Sequence, residues 1–168
     1  MYELHYDETE QVIFQVDPNG KKTIIANDSP SKPLFSKEKT KAIYITPLEW
    51  ECTGNLYLYD LKTGHELSLF KAEGDKQVPK FASWLDDDHV LAIIGYGMGT
   101  ISVGGNVYSI NIHSMEKEQL TDYPNEIQIT RFTVEDDTLN LEGIKYIDDE
   151  LNQFVPYQEK IALPKRVR

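Results

Sequence analysis

Residues 35–45 read FSKEKTKAIYI: an aromatic residue, a polar turn, then apolar side chains at alternate positions. Alone, the stretch is one arm of a hairpin. Its weight comes from recurrence. Residues 84–94 read WLDDDHVLAII and residues 132–142 read FTVEDDTLNLE, so the leading aromatics Phe35, Trp84 and Phe132 stand 49 and 48 residues apart. A second landmark follows the first two: NLYLYDLKTGHEL from Asn55 and NVYSINIHSMEKE from Asn106, 51 residues apart. QVIFQVDPNGKKT from Gln11 has the same form, with Gly20 and Gly64 in register. Two landmarks returning in one order, with a period in the range of about 20–50 residues, mark a chain built from stacked supersecondary units.

Each unit has the period of strands. Ile43 and Ile45, then Leu56 and Leu58, fall on alternate positions and so share one face of a sheet. No stretch of helical length carries an apolar i, i+3, i+4, i+7 series. The separators are turn chemistry, clearest in Asp17-Pro18-Asn19-Gly20, where proline presets one turn angle and asparagine and glycine accept positive φ. A full unit reads as four short antiparallel strands, giving blades at about 32–70, 79–121 and 127–163. Before them, 2–6, 11–16 and 22–26 supply three strands of another blade that lacks its innermost member. The expected fold is all-β: one domain, a propeller-like array of about four antiparallel blades with an incomplete N-terminal one, and a basic tail over 164–168.

The pattern F-S-x-x-x-x-K-A-I-Y-I followed by N-L-Y-L-Y-D-L-K-T-G resembles the blade repeat of TolB-like and WD40-like β-propellers, closely over about 32–121 and loosely over 127–163. It is also similar to small bacterial propeller-type proteins without an assigned function. Ser36-Lys37-Glu38-Lys39 replaces the Pro-Asp-Gly usual in the first turn, a departure that bears on the subfamily and leaves the fold expectation intact. The resemblance implies architecture; such scaffolds host enzymes, receptors and structural proteins alike.

With 28 acidic and 17 basic residues the net charge is -11, which argues against nucleic acid or an anionic membrane as partner. The basic cluster Lys165, Arg166 and Arg168 reads as a solvated chain end. Cys52 is the only cysteine, so no intrachain disulfide can form. No apolar run reaches the ~18 residues of a membrane span. The opening MYELHYDETE lacks the apolar centre of a secretory signal. The expected setting is therefore cytoplasmic for the chain as given, and extracytoplasmic for a longer parent carrying a signal.

The glycine-rich stretch IGYGMGTISVGG, residues 94–105, asks for a phosphate-binding reading. A dinucleotide loop needs G-x-G-x-x-G between a strand and a helix, and a P-loop needs a following Lys-Ser/Thr. Ser102 stands where the third glycine should be, and a strand follows. The stretch is expected to be a long hairpin connection whose glycines allow positive φ or close packing. Its counterparts are residues 46–54 and 147–152. Strand alternation places all three connections, and the links between blades, at one end of the sheets, with the short turns at the other. Function tends to gather on long loops.

The four histidines lack metal-site spacing, and neither Asp86-Asp87-Asp88 nor Asp148-Asp149-Glu150 has the alternation of a calcium loop. Neither a metal nor a cofactor is expected. No G-x-S-x-G elbow is present. The leading expectation is a non-catalytic binding module presenting Glu49, Trp50, Tyr96, Met98 and Thr100 to a protein or peptide, with a basic partner favoured by the acidic surroundings. The alternatives are a hydrolase with its site in the same loops, and an accessory portion of a longer propeller protein. The incomplete first blade is expected to be covered by the last blade, closing a ring in a monomer, or by a second copy in a homodimer.

Overall fold

The computed structural model describes residues 1–164 as fourteen strands and no helix; the basic cluster at Lys165, Arg166 and Arg168 lies outside the described residues. The strands form four antiparallel sheets taken in chain order. The first holds β1 (Glu3–Asp7), β2 (Val12–Val16) and β3 (Lys22–Ala26). The second holds β4 (Leu34–Phe35), β5 (Lys41–Thr46), β6 (Asn55–Asp60) and β7 (His65–Phe70). The third holds β8 (Val78–Trp84), β9 (His89–Gly95), β10 (Asn106–Asn111) and β11 (Lys117–Gln119). The fourth holds β12 (Ile127–Glu135), β13 (Thr138–Tyr146) and β14 (Phe154–Ala162).

The incomplete first blade is as expected; the last differs. Its 127–163 span carries three strands of nine residues each, not four short ones. The outer strand was the least patterned part of the repeat, being only Lys117–Gln119 in the third sheet. A run of 37 residues cannot hold three strands of that length and a fourth as well.

Alternation explains the stacking. In β5, Ala42 and Tyr44 face the first sheet while Ile43 and Ile45 face the third. In β9, Val90, Ala92 and Ile94 meet the second sheet and Leu91 and Ile93 the fourth. A strand buried on both faces must be apolar at every position, which is why 90–94 reads VLAII. Burial of such side chains stabilises by roughly 1.5–3 kcal/mol each. Three apolar clusters thus join sheet one to two, two to three, and three to four.

Among the described residues no cluster joins the first sheet to the last, so of the two covers expected for the first blade, closure of a ring by the last blade is not formed. The outward faces of these two sheets differ. In the last sheet Leu139 and Leu141 face the core while the intervening Asn140 and Glu142 point away, beside Lys160 and Gln158. In the first sheet Leu4 faces the core and Glu3 and His5 are exposed. Phe14 on that outer face is covered by the stacked His5 ring and by the Lys22 amine, 3.9 Å from its centroid. The outer face of the last sheet is thus mainly polar, whereas that of the first keeps Phe14 and, opposite it, Ile24, 56% exposed.

The recurring asparagine has a structural task. Asn55 Oδ1 accepts from the Ala72 N–H, and Asn106 Oδ1 accepts from the Tyr123 N–H, both at 2.8 Å. In each blade the side chain pins the link to the next sheet seventeen residues on.

Candidate functional site

All the long connections gather at one end of the sheets. The β5–β6 connection lies beside the β9–β10 connection, and the Gly99 N–H donates to Glu51 Oε1 at 3.1 Å. Glu51 adopts φ +58 to reach it. Glu49 is held on its own side: it accepts from the Ser29 hydroxyl, and the Cys52 thiol stands 4.0 Å from its other oxygen. The link between sheets two and three supports the glycine loop from behind, with the Gly97 N–H donating to Asp75 O at 2.7 Å.

Close backbone approach accounts for the glycines. Gly105 and Ile129 exchange both backbone hydrogen bonds, at 3.0 and 3.1 Å, which ties the loop to β12. A Cβ on Gly104 would lie 2.1 Å from Ile129 O, and one on Gly105 would lie 2.2 Å from Ile94 O. Within this loop positive φ is needed at Gly99, at +82. The strand β10 follows the loop directly, so a phosphate finds no helix N-terminus there.

Two clefts open between these loops. One of about 360 Å³ is lined by Glu49, Trp50, Cys52, Lys80, Gly99 and Ser102, among others. The other, about 640 Å³, is lined by Tyr96, Met98, Gly99, Ser102, Gln128 and Leu151, among others. They share Gly99 and Ser102. Of the residues singled out from sequence, Trp50 is 69% exposed and Tyr96 47%. Glu49 and Thr100 are exposed and Met98 half-buried. Glu49 and Trp50 thus border one cleft and Tyr96 and Met98 the other, with Thr100 on the segment between.

Lys80 escaped the sequence reading. It is the extra residue of a β-bulge in β8, between Pro79, opposite Ile94, and Phe81, opposite Ile93. A bulge re-aims one side chain; here the amine donates to the carbonyls of Tyr96 and Ser102. Burial pushes it down to about 8. Only the lone lysine in Val78–Trp84, VPKFASW, hinted at it.

The other polar clusters serve local structure. His89 pairs with Asp86 at 2.9 Å and His113 with Asp88 at 2.8 Å, both at the short-turn end. Asp148 accepts from the N–H groups of Asn152 and Gln153, so this acid caps its own loop. Among the described residues no group of three or more His, Cys, Asp or Glu side chains could hold a metal, and no helix is long and apolar enough to cross a membrane.

No curated protein matches the chain. Residues 47–163, well over half of it, match a family described as a domain of unknown function, DUF4652. The chain belongs to the DUF4652 family. Among solved structures, this DUF4652 chain is similar to a conserved protein of Clostridium novyi NT described as a lipoprotein, with TM-score 0.73 and 22% identity, over 80% of this chain and 88% of that one. It is also similar to oligopeptidase B from Trypanosoma brucei, at TM-score 0.62 and 12% identity, covering 99% of this chain but 24% of the peptidase. TolB from Acinetobacter baumannii is similar at TM-score 0.50 and 18% identity, over 94% of this chain and 37% of TolB. At these identities the likeness shows the fold alone: propeller-like sheets shared by proteins of different kinds.

Proposed function

We propose that this DUF4652 chain is a non-catalytic binding module that takes a protein or peptide across the long-loop end. The observation that carries the reading is Trp50, 69% exposed on the rim of a built cleft, the position and residue type of an interface anchor. Tyr96 and Met98 extend the apolar contact into the neighbouring cleft. Glu49, Glu51 and the chain's net charge of -11 favour a basic partner. Likeness to a lipoprotein supports the extracytoplasmic setting of the two expected. A hydrolase in the same loops would need a base beside a nucleophile, whereas His65, His89 and His113 all stand at the short-turn end. The test is affinity capture with the wild type and a Trp50→Ala, Tyr96→Ala double variant of unchanged melting temperature. The reading expects a partner held by the wild type and released by the variant; equal capture by both contradicts it.

A further inference from the structure

A third cleft, about 340 Å³, lies at the inner edge of the arc, where the leading strands β4, β8 and β12 each end their sheets. Its volume is at the lower end of the ~300–1,000 Å³ typical of small-ligand pockets. The lining is largely apolar, with Leu34, Leu48 and Phe81 in it, and its charged residues are Lys32, Lys80 and Arg131. In a chain whose acids outnumber its bases 28 to 17, the lining contains no acid at all. Among the described residues none of these three cations is in an ion pair. The backbone is adapted to the cleft as well. Bulges interrupt β8 at Lys80 and β12 at Thr130, and both bulged residues line it. A β-bulge next to a site is a device for aiming a side chain.

Unpaired cations beside apolar side chains suit a guest that joins an anionic group to an apolar one. We infer that this inner cleft binds a carboxylate joined to a branched aliphatic side chain, as at the C-terminus of a peptide ending in leucine. The aliphatic group would lie on Leu34, Leu48 and Phe81, and the carboxylate would meet Arg131 and Lys32, arginine offering a paired donor fork. Lys80 spends two of its three N–H groups on the Tyr96 and Ser102 carbonyls and keeps one. The inference goes beyond the long-loop reading, because neither Trp50 nor Tyr96 borders this cleft.

The test is calorimetric titration with three probes: acetyl-glycyl-alanyl-leucine with a free carboxylate, the same peptide as its C-terminal amide, and acetyl-leucine. Hydrogen bonds to charged groups contribute about 1.5–3 kcal/mol, so the free acid should bind at least about tenfold tighter than the amide. A Lys32→Gln, Arg131→Gln double variant should lose that preference while keeping its melting temperature, since both residues are exposed. Tighter binding of the peptide than of acetyl-leucine identifies a chain terminus as the guest; equal binding identifies a free small acid. Equal affinity for acid and amide, an unchanged preference in the double variant, or no binding by any probe at millimolar concentration would overturn the inference. The Trp50→Ala, Tyr96→Ala variant should still bind the peptide, which separates this site from the long-loop one.

Discussion

The two ends of the same four sheets are built on different principles. At the short-turn end one device is used again and again: Asp17, Asp60, Asp86 and Asn111 each accept a hydrogen bond from the N–H two residues on. These are Asx-turns, closed within a few residues of sequence. At the long-loop end almost nothing repeats. Gly99 is fixed by Glu51, Gly97 by Asp75 and Gly105 by Ile129, each across a large sequence separation. The comparison teaches that the repeated end is built mainly from turns closed within a few residues, while the irregular end is held by bonds across large sequence separations and carries the two long-loop clefts.

Glycine substitution should expose the contrast most strongly. Gly105→Ala places a methyl group 2.2 Å from Ile94 O, where backbone must move, and should cost about 3 kcal/mol of unfolding free energy. Gly20→Ala meets nothing within 4 Å and strains only a φ of +87, so it should cost about 1 kcal/mol. Urea unfolding of the two variants measures both; equal losses would break the distinction between the ends.

A smaller effect concerns charge at the long-loop end. Lys80 is held near 8, below its ordinary 10.5, by burial. Between those values the unfolded chain keeps a proton that the folded chain has released, so stability rises with pH across that window. The gain should be about 1 kcal/mol, because the side chain is only half-buried and solvent screens it. It should vanish in Lys80→Met. Buried Tyr59, pushed up to about 12, works in the opposite sense: its contribution is present below pH 10 and is lost as pH rises toward 12. Thermal melts between pH 8 and 10 therefore show the lysine most cleanly. No difference in slope between wild type and Lys80→Met would remove Lys80 from the account.

The smallest effect belongs to the short-turn end. Gly64 and Met115 occupy equivalent turn positions, with φ of +72 and +64, and the N–H of each donates to the carbonyl that opens its turn, Asp60 and Asn111. Met115 is 44% exposed, so Met115→Gly removes strain at little packing cost and should raise stability by about 0.5 kcal/mol. A loss on urea unfolding would show that the two turns are not equivalent.

The repeat was legible because blades are stacked copies: the leading aromatics, the asparagine at the start of β6 and β10, and the turn glycines recur where the same hydrogen bonds recur. What did not recur could not be read that way. Nothing in Phe132–Leu163 signalled that the last sheet stops at three long strands, because the outer strand has no strong pattern even where it exists. Closure by the last blade was one of the two covers expected for the open edge of the first; a sequence shows that Leu139 and Asn140 alternate but not which sheet, if any, meets either side. Of the site, the exposed pair Trp50 and Tyr96 was visible from their loop positions. Lys80 was not, since a bulge is a mismatch between two strands and leaves no mark on one of them.

The central claim is that the long-loop end, and not the short-turn end, meets the partner. Photo-crosslinking tests it most directly. A photoreactive phenylalanine derivative replaces either Thr100, on the segment between the long-loop clefts, or Thr63, in the turn between β6 and β7. Irradiation in the source cells should give a specific adduct from position 100 and none from position 63. Adducts from position 63 alone, or from both positions equally, would contradict the account.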